Sequence, residues 1–180
     1  MSSSTTPSSP PPDLVAAPVS TERLDLEPLR ISHAAEAARA FADERLHTFT
    51  GGSPADEAAL RERYIVQLRG HSSDGSATWL NWMVRRRDTR ELVGTVQATV
   101  TAEAADVAWV VSVPHQGNGF AREAARAMTG WLRERGVRRF TAHVHPDHEA
   151  SAGVARSLAL SPTDVVVDGE IQWTSRNVGG

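Results

Sequence analysis

The chain contains no cysteine, and all nineteen of its basic side chains are arginine. Without cysteine it can form no disulfide, no thiolate metal site and no cysteine nucleophile; that composition is compatible with a reducing compartment, and a cytoplasmic location is the expectation. Without lysine it cannot carry a Walker A phosphate loop, whose Lys-Ser/Thr ending is part of the chemistry. There is no long apolar run, so nothing is expected to span a bilayer. There is also no surplus of positive charge: the formal net charge is −3 over 180 residues, which gives no general attraction to nucleic acid or to an anionic membrane. That length suits one domain with a sizeable core.

Residues 1–20 are rich in Ser, Thr and Pro with almost no charge. Such a segment buries too little apolar surface to offset its ordering, and it lacks the basic and continuous apolar regions of a signal peptide. A disordered tail is expected over 1–20, a folded domain over 21–176 and a short tail over 177–180. Inside the domain, Leu24 and Leu26 alternate as a first strand, Ser32 is positioned to cap a helix from Ala34 to Glu44, and Ser53 or Asp56 to cap a second helix reaching Leu68. Strands are expected over Trp79–Arg86, Leu92–Thr101 and Asp106–Val113. A helix ending at Gly136 follows, then a strand Arg138–His145, a helix Ala150–Leu158, and a closing hairpin through Asp168-Gly169. The order β, α, α, β, β, β, α, β, α, β, β implies a mixed sheet with helices on both faces.

What is present in place of those absences is the run Val113-Pro114-His115-Gln116-Gly117-Asn118-Gly119-Phe120-Ala121. An apolar, β-branched strand precedes it. An amphipathic helix pattern follows, with Ala121, Ala124, Ala125, Met128 and Leu132 on one face. A glycine turn opening a helix offers unpartnered N–H groups and the positive end of the helix dipole, which together suit a phosphate. A dinucleotide fingerprint fits poorly, because position 122 is Arg and the next strand ends His145-Pro146-Asp147.

The segment Ala105 to Ser112 followed by QGNGFAREA resembles the acetyl-CoA motif (Q/R)-x-x-G-x-(G/A) of the GNAT N-acetyltransferase superfamily, with Gln116, Gly119 and Ala121 at the matching positions. The branch it is most similar to is the RimJ/RimL type, the ribosomal-protein alanine N-acetyltransferases. Thr21–Leu29 resembles the opening strand of that branch, and Arg90–Val96 its hairpin before the cofactor strand. His145–Ser151 with Val154, Ala155 and Leu158 resembles its second cofactor motif, N-x-x-S…V-A…L-G-F. The resemblance implies the GNAT fold: an α/β (α+β) domain with a mixed, mostly antiparallel twisted sheet of about seven strands and about four helices.

The resemblance also implies acetyl transfer from acetyl-CoA to a primary amine, by direct attack in a ternary complex. The acceptor would be a protein N-terminus or a small molecule. Backbone of Gln116, Gly117, Asn118, Gly119, Phe120 and Ala121 would hold the pyrophosphate, and main chain of Val111 and Val113 the pantetheine arm. An alkyl ammonium must lose a proton before it attacks, and Asp106 stands where similar enzymes carry a Glu; its shorter side chain favours a water relay, and Glu103 is the second choice. Ser151 would donate to the departing thiolate or cap the helix that begins there. His148 replaces the usual cofactor-contacting Asn, and Ala159-Leu160 replaces Gly-Phe. His47, Phe49 and Asn81 are the candidate acceptor-pocket residues. His143 and His145 alternate on one strand face, but without a clear further ligand no metal is expected. Trp79, Trp82, Trp109, Trp131 and Trp173 read as core. A non-catalytic acyl-CoA-binding regulatory module is the competing class, and a homodimer through edge strands stays open.

Overall fold

A computed structural model of the chain describes residues 14–176. Eight strands form a single sheet: β1 (Val19–Ser20), β2 (Leu24–Pro28), β3 (Thr78–Arg86), β4 (Leu92–Thr101), β5 (Ala104–Val111), β6 (Arg139–Val144), β7 (Leu160–Val167) and β8 (Glu170–Ser175). Four helices join them: α1 (Ala34–Ala40), α2 (Glu57–Gln67), α3 (Phe120–Arg133) and α4 (Glu149–Ser157). The sheet order is β1-β2-β3-β4-β5-β6-β8-β7, with every neighbouring pair antiparallel except β5 and β6. This is the mixed, mostly antiparallel α/β architecture expected, with one strand more than the expected seven.

The extra strand comes from the segment whose composition reads as tail. Leu14 is buried, Ala16, Ala17 and Val19 pack on the core, and Val19 pairs with Leu26. The Trp82 indole N–H donates to the Ala17 carbonyl at 2.8 Å, which satisfies the one polar atom of a fully buried ring. The ordered fold therefore begins before residue 21, because a few apolar side chains reach a groove that exists only in the folded sheet. Residues 1–13 and the expected C-terminal tail 177–180 lie outside the described residues.

Period-two alternation assigns the two faces of the sheet. Leu80, Trp82 and Val84 of β3, Val96, Ala98 and Val100 of β4, Ala105 and Val107 of β5, and Phe140 and Ala142 of β6 form the main core beneath α3 and α4. On the opposite face α1 and α2 close over Met83 and Leu92 only, so the remaining rows of that face stay open. The Asp56 side chain caps α2 by accepting from Ala59 N–H at 2.8 Å. Ser32 does not cap α1. It lies inside a 3₁₀ turn (Ile31–His33), and His33 Nδ1 accepts from Arg30 N–H at 3.0 Å. The helix also ends at Ala40, earlier than expected, and a second 3₁₀ turn (Glu44–His47) follows.

Gly94 explains how β4 and β5 come so close: a Cβ there would collide with the Val110 carbonyl oxygen. Ala159-Leu160 stands where the resemblance leads one to expect Gly-Phe. Ala159 itself takes the left-handed conformation (φ 61°) that ends the helix, and Leu160 is buried.

Candidate active site

β5 and β6 are neighbours over only three residue pairs, Ala104–Arg139, Ala105–Phe140 and Asp106–Thr141. Beyond Asp106 the strands part: β5 stays in register with β4 as far as Val111, and β6 continues with β8. The sheet thus opens into a fork with its apex at Asp106. Ser112 N–H donates to Val93 O at 2.8 Å, so the even-numbered residues turn their backbone groups toward β4. By alternation Val107, Trp109 and Val111 turn theirs into the fork.

The loop at the mouth of the fork is shaped by its own side chains. Gln116 Nε2 donates to Val111 O at 3.0 Å, and Asn118 Nδ2 donates to the carbonyls of His115 (3.0 Å) and Gln116 (3.2 Å). Both side chains therefore build the loop rather than reach outward. Gly117 and Gly119 both have φ near +80° (78° and 79°), a conformation that costs other residues roughly 1–2 kcal/mol. Gly119 is the N-cap of α3 and brings no capping side chain. α2 and α4, by contrast, are capped by Asp56 and His148. The first-turn N–H groups of α3 are thus left for an anion. Phe120 contributes its backbone only, since its ring is buried under the guanidinium of Arg23 (4.8 Å), and Ala121 packs on the core. Arg23 fixes the loop from outside, donating to Asn118 O at 3.0 Å and pairing with Glu123 at 2.6 Å. Val113 lies beyond the strand in a 3₁₀ turn (Val113–His115), its carbonyl accepting from Gln116 N–H, so the edge of the fork ends at Val111.

On the open face of the sheet, Trp79, Thr99, Asp106 and Thr141 form one row across four strands, and Asn81, Gln97 and Ala108 form the next. All are exposed or half-buried. Asn81 and Asp106 thus share a face, with β4 between them. The Asp106 carboxyl is raised from its ordinary value because partial burial outweighs the pull of His143, whose Nδ1 lies 3.4 Å from Asp106 Oδ2. Glu103 sits in the β4–β5 turn, outside the fork, where its carbonyl accepts from Arg138 and Arg139 N–H.

Ser151 faces the fork from the other side, at the first turn of α4. His148 Nδ1 accepts from Ser151 N–H at 3.5 Å, so His148 rather than Ser151 caps the helix. The Ser151 hydroxyl accepts from the Trp109 indole N–H at 3.3 Å. The His148 ring stacks on Phe49 (centroids 4.3 Å apart), and Phe49 also touches His145 (5.3 Å). The α1–α2 loop is thereby laid against the tip of β6. His47 is not brought to the fork by any contact; its Nδ1 lies 3.2 Å from Gly51 O within its own loop. Two residues of the site carry no motif: Trp109, which reads as core, and His143, which reads as half of an incomplete metal pair. Among the described residues no group of three or more His, Asp or Glu is placed to hold a metal ion, and no helix is long and apolar enough to cross a membrane.

Residues 23–161 match the family model described as Acetyltransferase (GNAT) domain. The chain belongs to the GNAT acetyltransferase family. The enzyme matches no curated protein by sequence. Among solved structures it is similar to the ribosomal-protein-S5-alanine acetyltransferase of Vibrio fischeri, with TM-score 0.72 and 19% identity over 90% of this chain and 97% of that one. It is also similar to RimL, a ribosomal L7/L12 α-N-protein acetyltransferase in complex with coenzyme A (TM-score 0.71, 17% identity, 88% and 97% covered). A third similar structure is an acetyltransferase from Agrobacterium tumefaciens (TM-score 0.70, 22% identity, 89% and 95% covered). This GNAT acetyltransferase therefore carries the fold of those enzymes nearly end to end, and its activity is acetyl transfer.

Proposed function

We propose that this acetyltransferase takes the acetyl group of acetyl-CoA and passes it to the α-amino group of a protein N-terminus, without an acetylated enzyme intermediate. The observation that carries the donor half is the fork: an unpaired β5 edge ends at an uncapped helix N-terminus beside two left-handed glycines. The loop residues 116–121 and the α3 N-terminus would hold the pyrophosphate, and the backbone of Trp109 and Val111 the pantetheine amides, in a second ladder that β6 does not supply. Ser151 is fitted to the leaving thiolate. Trp109 occupies a hydroxyl lone pair, so the O–H remains free to donate. The acceptor approaches on the open face, where Asp106 supplies negative charge beside the apex and Asn81 and the Phe49 loop flank the approach. A peptide acceptor is favoured because the similar solved structures include enzymes named for ribosomal-protein N-termini.

The test is calorimetric titration of the full chain with acetyl-CoA, followed by thiol release with a panel of N-terminal peptides and small amines. Micromolar binding abolished by Gly119→Glu, with turnover on peptides, is the expected result. Turnover confined to small amines would reassign the acceptor, binding without turnover would favour a regulatory acyl-CoA module, and no binding would remove the donor assignment.

A further inference from the structure

We propose that His143 is the base that takes the proton from the acceptor amine, with the Asp106 carboxylate orienting its ring; the proposal rests on the acetyltransferase reading above. The placement follows from topology. Asp106 and Thr141 are the last pair before β5 and β6 separate. His143, two residues on, is the next β6 side chain on that open face. The pair therefore spans the fork at its apex, a carboxylate from one arm and an imidazole from the other, with Nδ1 3.4 Å from Oδ2. In the proposed dyad the ring proton lies on Nδ1, toward the carboxylate, and the Nε2 lone pair takes the substrate proton. The ring is about one-quarter exposed, which gives a substrate access while its orientation is held from β5.

Elementary acid–base matching favours the imidazole over the carboxylate. An α-ammonium group loses its proton near pH 7.7–8.0. Free imidazole lies closer to that value than a free carboxylate does, and partial burial raises Asp106 toward it. Asp106 has a short side chain, with a single methylene between backbone and carboxyl. A histidine on the facing strand makes up that reach without a water relay, and the acid keeps an orienting role.

The acceptor ammonium gives one proton to His143 Nε2. The free amine attacks the thioester carbonyl carbon and the C–S bond breaks. The amide nitrogen's second proton reaches the departing sulfur through the Ser151 hydroxyl, and the His143 imidazolium returns its proton to solvent. The products are the acetamide, the free thiol and one released proton.

The experiment measures thiol release by wild type, His143→Ala, His143→Gln and Asp106→Asn, with acetyl-CoA affinity read separately by calorimetry. For both His143 variants kcat should fall by about 10²-fold or more with acetyl-CoA affinity unchanged, and added imidazole should restore part of the loss in His143→Ala, which a merely structural histidine would not allow. Asp106→Asn should cost about tenfold and be insensitive to imidazole. Retention of activity within threefold by His143→Ala, or a loss that imidazole cannot relieve at any concentration tolerated by wild type, overturns the proposal. The ring tautomer, read by ¹⁵N NMR of the wild-type chain, needs no acceptor. A proton on Nδ1 that relocates in Asp106→Asn supports the dyad, and a proton on Nε2 in wild type overturns it. Failure of the donor assignment would show separately, as wild type that binds no acetyl-CoA.

Discussion

The two ends of the sheet solve opposite problems. Between β2 and β4, β2 is paired with β3 over its whole length, β3 with β4 over eight residue pairs, and the charges interlock. Arg85, largely buried, donates to Glu36 at 2.7 and 2.9 Å, to Glu27 at 3.1 Å and to the Arg90 carbonyl at 2.6 Å, while Arg90 reaches Asp25 at 2.6 Å. At the fork, three residue pairs hold β5 to β6 and the remaining edge is left open. One region is closed by interlocking charges, and the other leaves a strand edge open. Stability and function are therefore expected to separate cleanly by position.

The sharpest way to break the comparison is at its closed end. Arg85→Ala removes the partner of Glu36 and one of the partners of Glu27 in a partly buried setting, and should cost about 3 kcal/mol of unfolding free energy in denaturant titration, with activity per folded molecule little changed. Gly94→Ala drives a Cβ into the Val110 carbonyl and should cost about 1–3 kcal/mol. Because β5 carries the fork's edge, acetyl-CoA affinity should fall with it. At the open end the pattern inverts: Trp109→Phe removes the indole donor to Ser151 and should lower kcat several-fold while thermal stability falls by about 1 kcal/mol or less.

A pH prediction sharpens the same contrast. Arg85 holds the Glu36 carboxyl below its ordinary value of 4.5. A group depressed in the folded state stabilises above its unfolded value, and that contribution is lost as pH falls through the folded one. Wild type should thus lose Tm below about pH 4.5 more steeply than Glu36→Gln. The smallest effect concerns the end of α4: Ala159→Gly relieves the left-handed backbone and should raise stability by about 0.5–1 kcal/mol.

Much of this was legible in the residues. The strand Leu92–Thr101 alternates clearly enough to be bounded correctly, Asp56 signals its helix, and the glycine loop lies between a strand and a helix as its flanking patterns indicate. What was not legible depends on contacts between distant segments. Leu14 and Val19 sit in a Ser/Pro-rich stretch, and only the groove around Trp82 gives them somewhere to pack. Ser32 has the chemistry of a cap, but the 3₁₀ turn places it inside the turn. His143 lacks any local partner: the whole of α3 separates it from Asp106 in the chain, and the parallel pairing of β5 with β6 alone brings them together. Trp109 looks like core until α4 presents Ser151 to its indole.

The most direct test of the account is amide hydrogen exchange of the full chain with and without saturating acetyl-CoA. Slowed exchange is expected at Trp109 and Val111 on the fork's edge and over residues 117–122 at the start of α3, with β2 and β3 unchanged. Binding that leaves Trp109 and Val111 unprotected would contradict the claim that the open edge of the sheet is the donor site.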